Sequence, residues 1–180
     1  MKKIIILSSS VRTGRKSNRV ALYFQKYINA QHWGETELID LKELNFPVFE
    51  ERLKYLKDPS ESLLQFAASI KEARGIVIIT PEYNGGYPAS LKNAIDVLYS
   101  EWQLKPIAIV TVSDGAFGGM QAITSLQFIL FKMGVWTVPA LFPVPNIDKT
   151  FTEEGEAIDK EATDKRAEKF LSQFKWFMDR

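Results

Sequence analysis

The sequence predicts one α/β domain over residues 1–180, a doubly wound five-stranded parallel sheet with strand order 2-1-3-4-5. Three observations lead there. The runs KIIILS (3–8), GIVIIT (75–80) and PIAIVTV (106–112) are apolar without alternating, as strands buried on both faces must be. Amphipathic helical stretches separate the strands, so that β and α alternate five times along the chain. Finally, 180 residues with 46% apolar side chains suffice for one core.

In chain order, the first strand (3–8) leads through a polar loop to a helix at 18–30, with Val20, Phe24, Tyr27 and Ile28 on one face. A weaker strand, ETELIDL (35–41), follows, and then a non-periodic stretch, 42–59. That stretch is long for a strand-to-helix loop and is expected to cover something or meet a partner. The second helix, 60–73, places Leu63, Leu64, Phe66, Ala67 and Ile70 inward. The strand at 75–80 stops at Pro81, and a third helix is expected over 88–100. The strand at 106–112, a helix at 120–133, a strand at 136–142 and a last helix at 160–178 complete the pattern. In that last helix, Ala167, Phe170, Leu171, Phe174, Phe177 and Met178 form one stripe.

Composition excludes several kinds of function. With 23 basic and 22 acidic side chains the charge nearly cancels, against a general nucleic-acid surface or a polybasic membrane anchor. There is no cysteine, hence no disulfide, thiolate nucleophile or Cys-ligated metal. The apolar run at Ile4–Leu7 is too short for a signal core, and no segment approaches the ~20 apolar residues of a membrane span, so a cytoplasmic protein is expected. His32 is the only histidine and lies far from the Gly-rich loops, so it is read as a packing or surface residue.

In this strand order the first, third and fourth strands are neighbours, and their carboxyl-terminal loops share an edge roughly 10 Å across. The first loop, SSSVRTGRKSNR (8–19), combines hydroxyls, Gly14 and four basic residues with a helix start, a suitable setting for a phosphate. The alternative is a solvated loop with Ser17 capping the helix. Neither G-x-x-x-x-G-K-[ST] nor G-x-G-x-x-G is present, against a nucleoside triphosphate or a Rossmann-bound dinucleotide. The second loop, PEYNGGYP (81–88), and the third, SDGAFGG (113–119), join glycines to aromatic rings. Glycines let a backbone approach the polar edge of a flat heterocycle. A ligand with a phosphate at one end and a long flat ring at the other fits all three loops, and FMN is the candidate.

These residues resemble the NADPH-dependent FMN reductase family, flavodoxin-like proteins that include azo-dye, quinone and chromate reductases. The family's G-S-x-R, P-E-Y-N-x-x-x-P with L-K-N-A-x-D, and S-x-G-x-x-G-G read here as SSVR (9–12), PEYNGGYP with LKNAID (91–96), and SDGAFGG. Ser9 stands where the family has glycine, which would tighten the turn, and Asp114 adds a negative charge near the ring. The resemblance implies that Ser10, Arg12, Ser17 and Asn18 hold the FMN phosphate, with Arg15 an addition particular to this chain. It implies that Pro81, Glu82, Tyr83, Asn84 and Gly85 line the isoalloxazine, mostly through backbone groups, and that Ser113, Gly115 and Phe117 close its other side.

The implied activity is hydride transfer from NADPH or NADH to the flavin, then electron transfer to a small-molecule acceptor: a quinone, an azo compound, a free flavin or a metal oxyanion. The flavin carries that chemistry, so no catalytic side chain is required. The apolar surplus in 91–102 and 120–133 suggests a homodimer or homotetramer through those helices. Two other readings stand beside this one. A flavodoxin-type FMN electron carrier would lack its own NAD(P)H oxidation, and such carriers are strongly acidic whereas this chain is balanced. A regulatory module binding a phosphate ligand would take up no flavin. A phospho-acceptor receiver domain lacks its acidic pair after the first strand, where Leu7-Ser8-Ser9 stands.

Overall fold

The computed structural model describes residues 2–180. Its elements are β1 (Lys3–Ser8), α1 (Ser17–Ala30), β2 (Glu35–Asp40), α2 (Leu41–Leu44), α3 (Glu61–Glu72), β3 (Gly75–Pro81), α4 (Ala89–Asp96), β4 (Pro106–Val112), α5 (Gln121–Lys132), β5 (Trp136–Val144), α6 (Ile147–Thr150) and α7 (Lys160–Met178). All five strands are parallel, in the order β2-β1-β3-β4-β5 that the sequence predicts. No described helix is long and apolar enough to cross a membrane.

The non-alternating strands serve two cores, because successive side chains of a strand point to opposite faces. Ile5, Leu7, Ile76, Ile78, Ile107 and Ile109 face α3, α4 and α5. Ile4, Ile6, Val77, Ile79, Ala108 and Val110 face α1 and α7. Each aliphatic side chain so buried contributes about 1.5–3 kcal/mol before entropy is charged against it. Helix and strand approach very closely at Gly75, where an added Cβ would lie 2.6 Å from Phe174 Cζ.

The middle of the chain departs from the expected pattern. The helix expected over 88–100 ends at Asp96, and a 3-10 turn at Ser100–Trp102 replaces its last part. The break lets Val97, Leu98 and Trp102 all enter the core, with Trp102 fully buried 6.1 Å from Phe66 between ring centroids. Leu91, Ala94 and Ile95 are buried there too, so the apolar surplus of 91–102 is absorbed inside this chain rather than left for a partner. On α3, Leu64 points to solvent while Leu63, Phe66, Ala67 and Ile70 form the stripe, since adjacent residues lie about 100° apart around a helix. The stretch 42–59 completes α2 and then straps itself to the end of α4: Leu53 N–H donates to the Val97 carbonyl at 2.8 Å, and Asn93 Nδ2 to the Pro47 carbonyl at 2.7 Å.

On the opposite face Tyr23, packed edge-on to Phe24 and Phe151, donates its hydroxyl to Asp164 at 2.8 Å. Burial first, and then the bond to the Asp164 carboxylate, push its phenol far above the usual value. A raised acid pKa means that the stabilisation is whole below the unfolded value of about 10 and is lost as pH climbs past it. Tyr23→Phe is therefore expected to cost about 1 kcal/mol at neutral pH. The gap from wild type should shrink between about pH 10 and 11, as urea melts across that range would show.

Candidate functional site

Parallel strands open their carboxyl ends on one edge, and the strand order makes β1, β3 and β4 consecutive there. Their loops enclose a cleft of ≈ 490 Å³. Among the residues expected from the sequence, Arg12, Arg15, Ser17, Pro81, Glu82, Tyr83, Ser113, Gly115 and Phe117 line it. Ser10, Asn18, Asn84 and Gly85 do not. Gly14, Lys16, Val112, Asp114, Gly119 and Ile147 complete the wall. Ile147 comes from α6, beyond β5, where no motif marks it.

The first loop is pinned at its start. Ser9 N–H donates to the Ile79 carbonyl at 3.1 Å, and Ser90 Oγ donates to the Ser9 carbonyl at 2.6 Å. Ser9 is absent from the described residues with positive φ, so a side chain there brings no backbone strain and the expected tightening is not needed. Ser10, fully buried, shares a 2.7 Å hydrogen bond with the Tyr83 hydroxyl and accepts from Arg12 N–H at 3.3 Å. It thus joins the first loop to the second from beneath.

The start of α1 discriminates between the two readings of Ser17. Lys16 occupies the cap position, without a side-chain cap bond, and Ser17 is the first helical residue. The Ser17 hydroxyl therefore does not cap the helix. It is buried without a hydrogen-bond partner, and so is Asn18 Oδ1. A buried polar atom left unpaired costs about 1–3 kcal/mol, and among the described residues with such atoms, which include Ser8, Ser9, Trp102 and Thr111, Ser17 is the one that lines the cleft, where a ligand can meet it.

The loop's charges are unequal in availability. Arg15 forms a bidentate pair with Asp40. Lys16 donates to Asp148 at 2.6 Å and Asp114 at 3.1 Å; Arg19 reaches Asp148 at 3.0 Å and Glu153 at 3.3 Å. The Asp148 bond, followed by Asp114, raises the Lys16 ammonium above its usual pKa, while Lys16 holds the Asp148 carboxyl below its own. Among the described residues Arg12 is the loop cation with no carboxylate partner, its guanidinium 6.0 Å from the Tyr83 ring centroid. The charge of Asp114, unbalanced in the sequence, has Lys16 as a counter-ion.

The second loop is a tight hairpin turn. Tyr83 and Gly86 exchange backbone hydrogen bonds of 2.7 and 3.0 Å, and Asn84 and Gly85 between them have φ of 53° and 79°. An Asn-Gly pair with both φ positive is the preferred chemistry of such a turn. Asn84 and Gly85 therefore shape the tip, and Tyr83 presents its ring. The Glu82 carboxylate accepts from Gln121 N–H at 3.0 Å, at the start of α5, and its own N–H goes to the Val112 carbonyl at 3.3 Å. In the third loop, Ser113 Oγ donates to the Gly115 carbonyl at 3.0 Å, while Ile147 N–H donates to the Ser113 carbonyl at 3.2 Å, tying the loop to α6. Phe117 is 85% exposed and stands at the rim. Asp40, which no motif in the sequence marks, lies beside this site because β2 ends next to β1.

A wound parallel sheet with a helix start, a polar cleft and a glycine-aromatic turn at its switch point defines the flavodoxin-like class. Residues 2–149 match the family model for NADPH-dependent FMN reductases. The chain is 34% identical over 148 residues to the NAD(P)H-dependent FMN reductase LOT6 of Saccharomyces cerevisiae, covering 74% of this chain and 76% of that protein. It is 30% identical over 169 residues to a quinone reductase of Escherichia coli, covering 90% and 88%. The fold is shared with FerB, a flavoenzyme NAD(P)H:(acceptor) oxidoreductase from Paracoccus denitrificans, with a TM-score of 0.80, 22% identity, and 99% and 98% coverage. The chain belongs to the NADPH-dependent FMN reductase family, whose members are oxidoreductases using FMN and NAD(P)H.

The turn geometry yields a direct test. Asn84→Ala forces alanine into a left-handed backbone and is expected to cost about 1–2 kcal/mol in chemical denaturation, whereas Asn84→Gly should cost far less.

Proposed function

We propose that this chain is an NAD(P)H-dependent reductase that carries FMN in the cleft and delivers electrons to small, flat or weakly held acceptors, with quinones first and azo compounds, free flavins and metal oxyanions beside them. One observation carries the reading: a buried, unpartnered hydroxyl, Ser17 Oγ, which lines the cleft at the start of a helix whose first loop keeps one cation, Arg12, clear of carboxylates. A phosphate supplies acceptors for the hydroxyl and the guanidinium, and it complements the positive end of α1.

The other two loops suit the remainder of the cofactor. Tyr83, braced by Ser10, offers a ring whose position is set from below. Gly115 has open space where a Cβ would stand, so its backbone can meet a flat heterocycle edge-on. Pro81 and Glu82 have already committed their backbone to the sheet, Pro81 having no N–H and Glu82 bonding Val112, and so they serve as wall. FMN, when bound, accepts hydride from a nicotinamide and releases electrons to the next acceptor. The protein's part is to grip the phosphate, hold the ring plane and leave one face open. Such a shallow, open arrangement selects an acceptor by flatness more than by functional group. The donor is written NAD(P)H, since three of the four basic residues in the first loop are engaged by carboxylates. The cytoplasm, with its nicotinamide pool, is the setting that agrees with this donor.

Assembly belongs to the same proposal. On α5, Phe128 and Phe131 are 64% and 71% exposed, and Leu104, hydrogen-bonded to Gly134 just beyond that helix, is 69% exposed. We assign this apolar face to a homodimer contact, from which a homotetramer can be built; α4 contributes little, because its apolar residues are internal. Replacing Phe128 and Phe131 together by Asp is expected to yield a monomer by sedimentation velocity with an unchanged circular dichroism spectrum.

The function is tested with purified protein and FMN. A yellow protein is expected, with NADPH consumption at 340 nm that depends on an added quinone. Ser17→Ala should lower FMN affinity about tenfold while leaving the melting temperature of the flavin-free protein unchanged or higher, since it deletes an unpaired buried hydroxyl. Arg12→Ala should weaken FMN further. A protein that stays colourless at saturating FMN would end this reading.

A further inference from the structure

Arg15 and Asp40 raise a question that the reading above leaves open. Arg15 stands in the phosphate loop, lines the cleft and is expected from the sequence, as an addition particular to this chain, to join the phosphate ligands. Yet its guanidinium fork is occupied. Both terminal nitrogens meet the two Asp40 oxygens, and the same Nη1 donates to the Ser10 carbonyl at 2.6 Å. The side chains are only 11% and 15% exposed, so the pair is well shielded from water and stronger than a surface pair.

We propose that Asp40 is a positioning residue for cofactor binding, acting through Arg15, and that Arg15 organises the phosphate loop instead of reading the phosphate. The proposal rests on the FMN reading of the cleft.

The chain of contacts supports it. β1 and β2 end in register, with Ser8 opposite Asp40, so the carboxylate arises beside the point where the loop leaves the sheet. Asp40 is itself anchored, since it accepts from Lys42 N–H at 2.9 Å and caps α2. Arg15 carries that anchorage to the Ser10 carbonyl. Across the planar trans peptide, fixing the Ser10 carbonyl also fixes the direction of the Val11 N–H, which has no backbone acceptor among the described residues. Ser10 Oγ in turn holds the Tyr83 hydroxyl at 2.7 Å and accepts from Arg12 N–H at 3.3 Å. One ion pair thus sets the loop that carries the free cation and, through Ser10, the ring of the second loop. The electrostatics agree. A bare carboxylate next to a phosphate site would repel the ligand, and Arg15 neutralises it while holding the loop.

The experiment is a double-mutant cycle read as flavin affinity, with FMN and riboflavin titrated by fluorescence into wild type, Asp40→Asn, Arg15→Met, the double variant and Arg15→Lys. A positioning pair predicts that Asp40→Asn and Arg15→Met each weaken FMN about tenfold and that the double variant is no weaker than either single one. Riboflavin, which has no phosphate and meets only the ring side of the site, should lose clearly less affinity than FMN in every variant. Arg15→Lys, which keeps the charge but loses the fork, should be as weak as Arg15→Met. The proposal is overturned if Asp40→Asn binds FMN as tightly as wild type or more tightly while Arg15→Met loses it, because Arg15 would then read the phosphate itself. Additive losses, or equal losses of FMN and riboflavin, also overturn it, the latter indicating support of the fold alone. If Asp40→Asn does not fold, the contrast between Arg15→Lys and Arg15→Met decides alone: retention of FMN by the lysine variant overturns the proposal. Wild type that binds no FMN ends the functional reading together with this one, whereas wild type that binds FMN beside an unaffected Asp40→Asn ends only the inference.

Discussion

The constraint on which the rest depends is the parallel pairing of β1 with β3 and of β3 with β4. Parallel strands need helical crossovers, crossovers cover both faces, and both faces must then be apolar. The same arrangement leaves every carboxyl-terminal loop on one edge. It places a helix start, with its free N–H groups, beside two loops whose strands are already adjacent. The site is therefore a consequence of the core. Removing any of the central strands would scatter the residues that meet there.

Within that frame the polar groups divide into those that build the site and those left over for a ligand. Ser10, Arg15, Asp40, Glu82 and Ser113 have partners inside the protein, within their own loop or in a neighbouring one. Ser17 Oγ, facing the cleft, has none. Arg12 has a ring beneath it and no counter-ion. This division follows from desolvation: a polar group that loses water on burial gains by meeting either another protein group or a ligand. It also explains how a cleft rimmed by several carboxylates can still accept a phosphate. Asp40, Asp114 and Asp148 each face a basic side chain of the first loop.

Much of this was legible in the one-dimensional pattern. Non-alternating apolar runs spaced by amphipathic stretches foretold strand order and layers, because burial on two faces leaves no room for a polar alternate. The glycines of PEYNGGYP signalled a loop that needs backbone freedom, which Gly85 uses, but the left-handed Asn84 beside it, read as part of the ring wall, was not foreseen. Three further details escaped it. The helix after Pro88 breaks early because Trp102 needs a place in the core, a need set by Phe66 from another helix. Leu64 looks like a core residue by type and is exposed by angle. Phe117 lines the cleft as expected, but that it stands 85% exposed at the rim could not be read from the chain.

The sequence by itself determined the fold, the three loops and their family, since these follow from periodicity, from glycine's freedom and from a motif contiguous in the chain. Only the tertiary structure decided which charges are spent and which are free. Arg12 and Arg15 stand three residues apart and look alike in the chain. They differ because Asp40, at the end of the neighbouring strand, comes within reach of one of them. Ion pairing depends on distance in space, and a linear sequence contains no distance between β2 and the loop that follows β1.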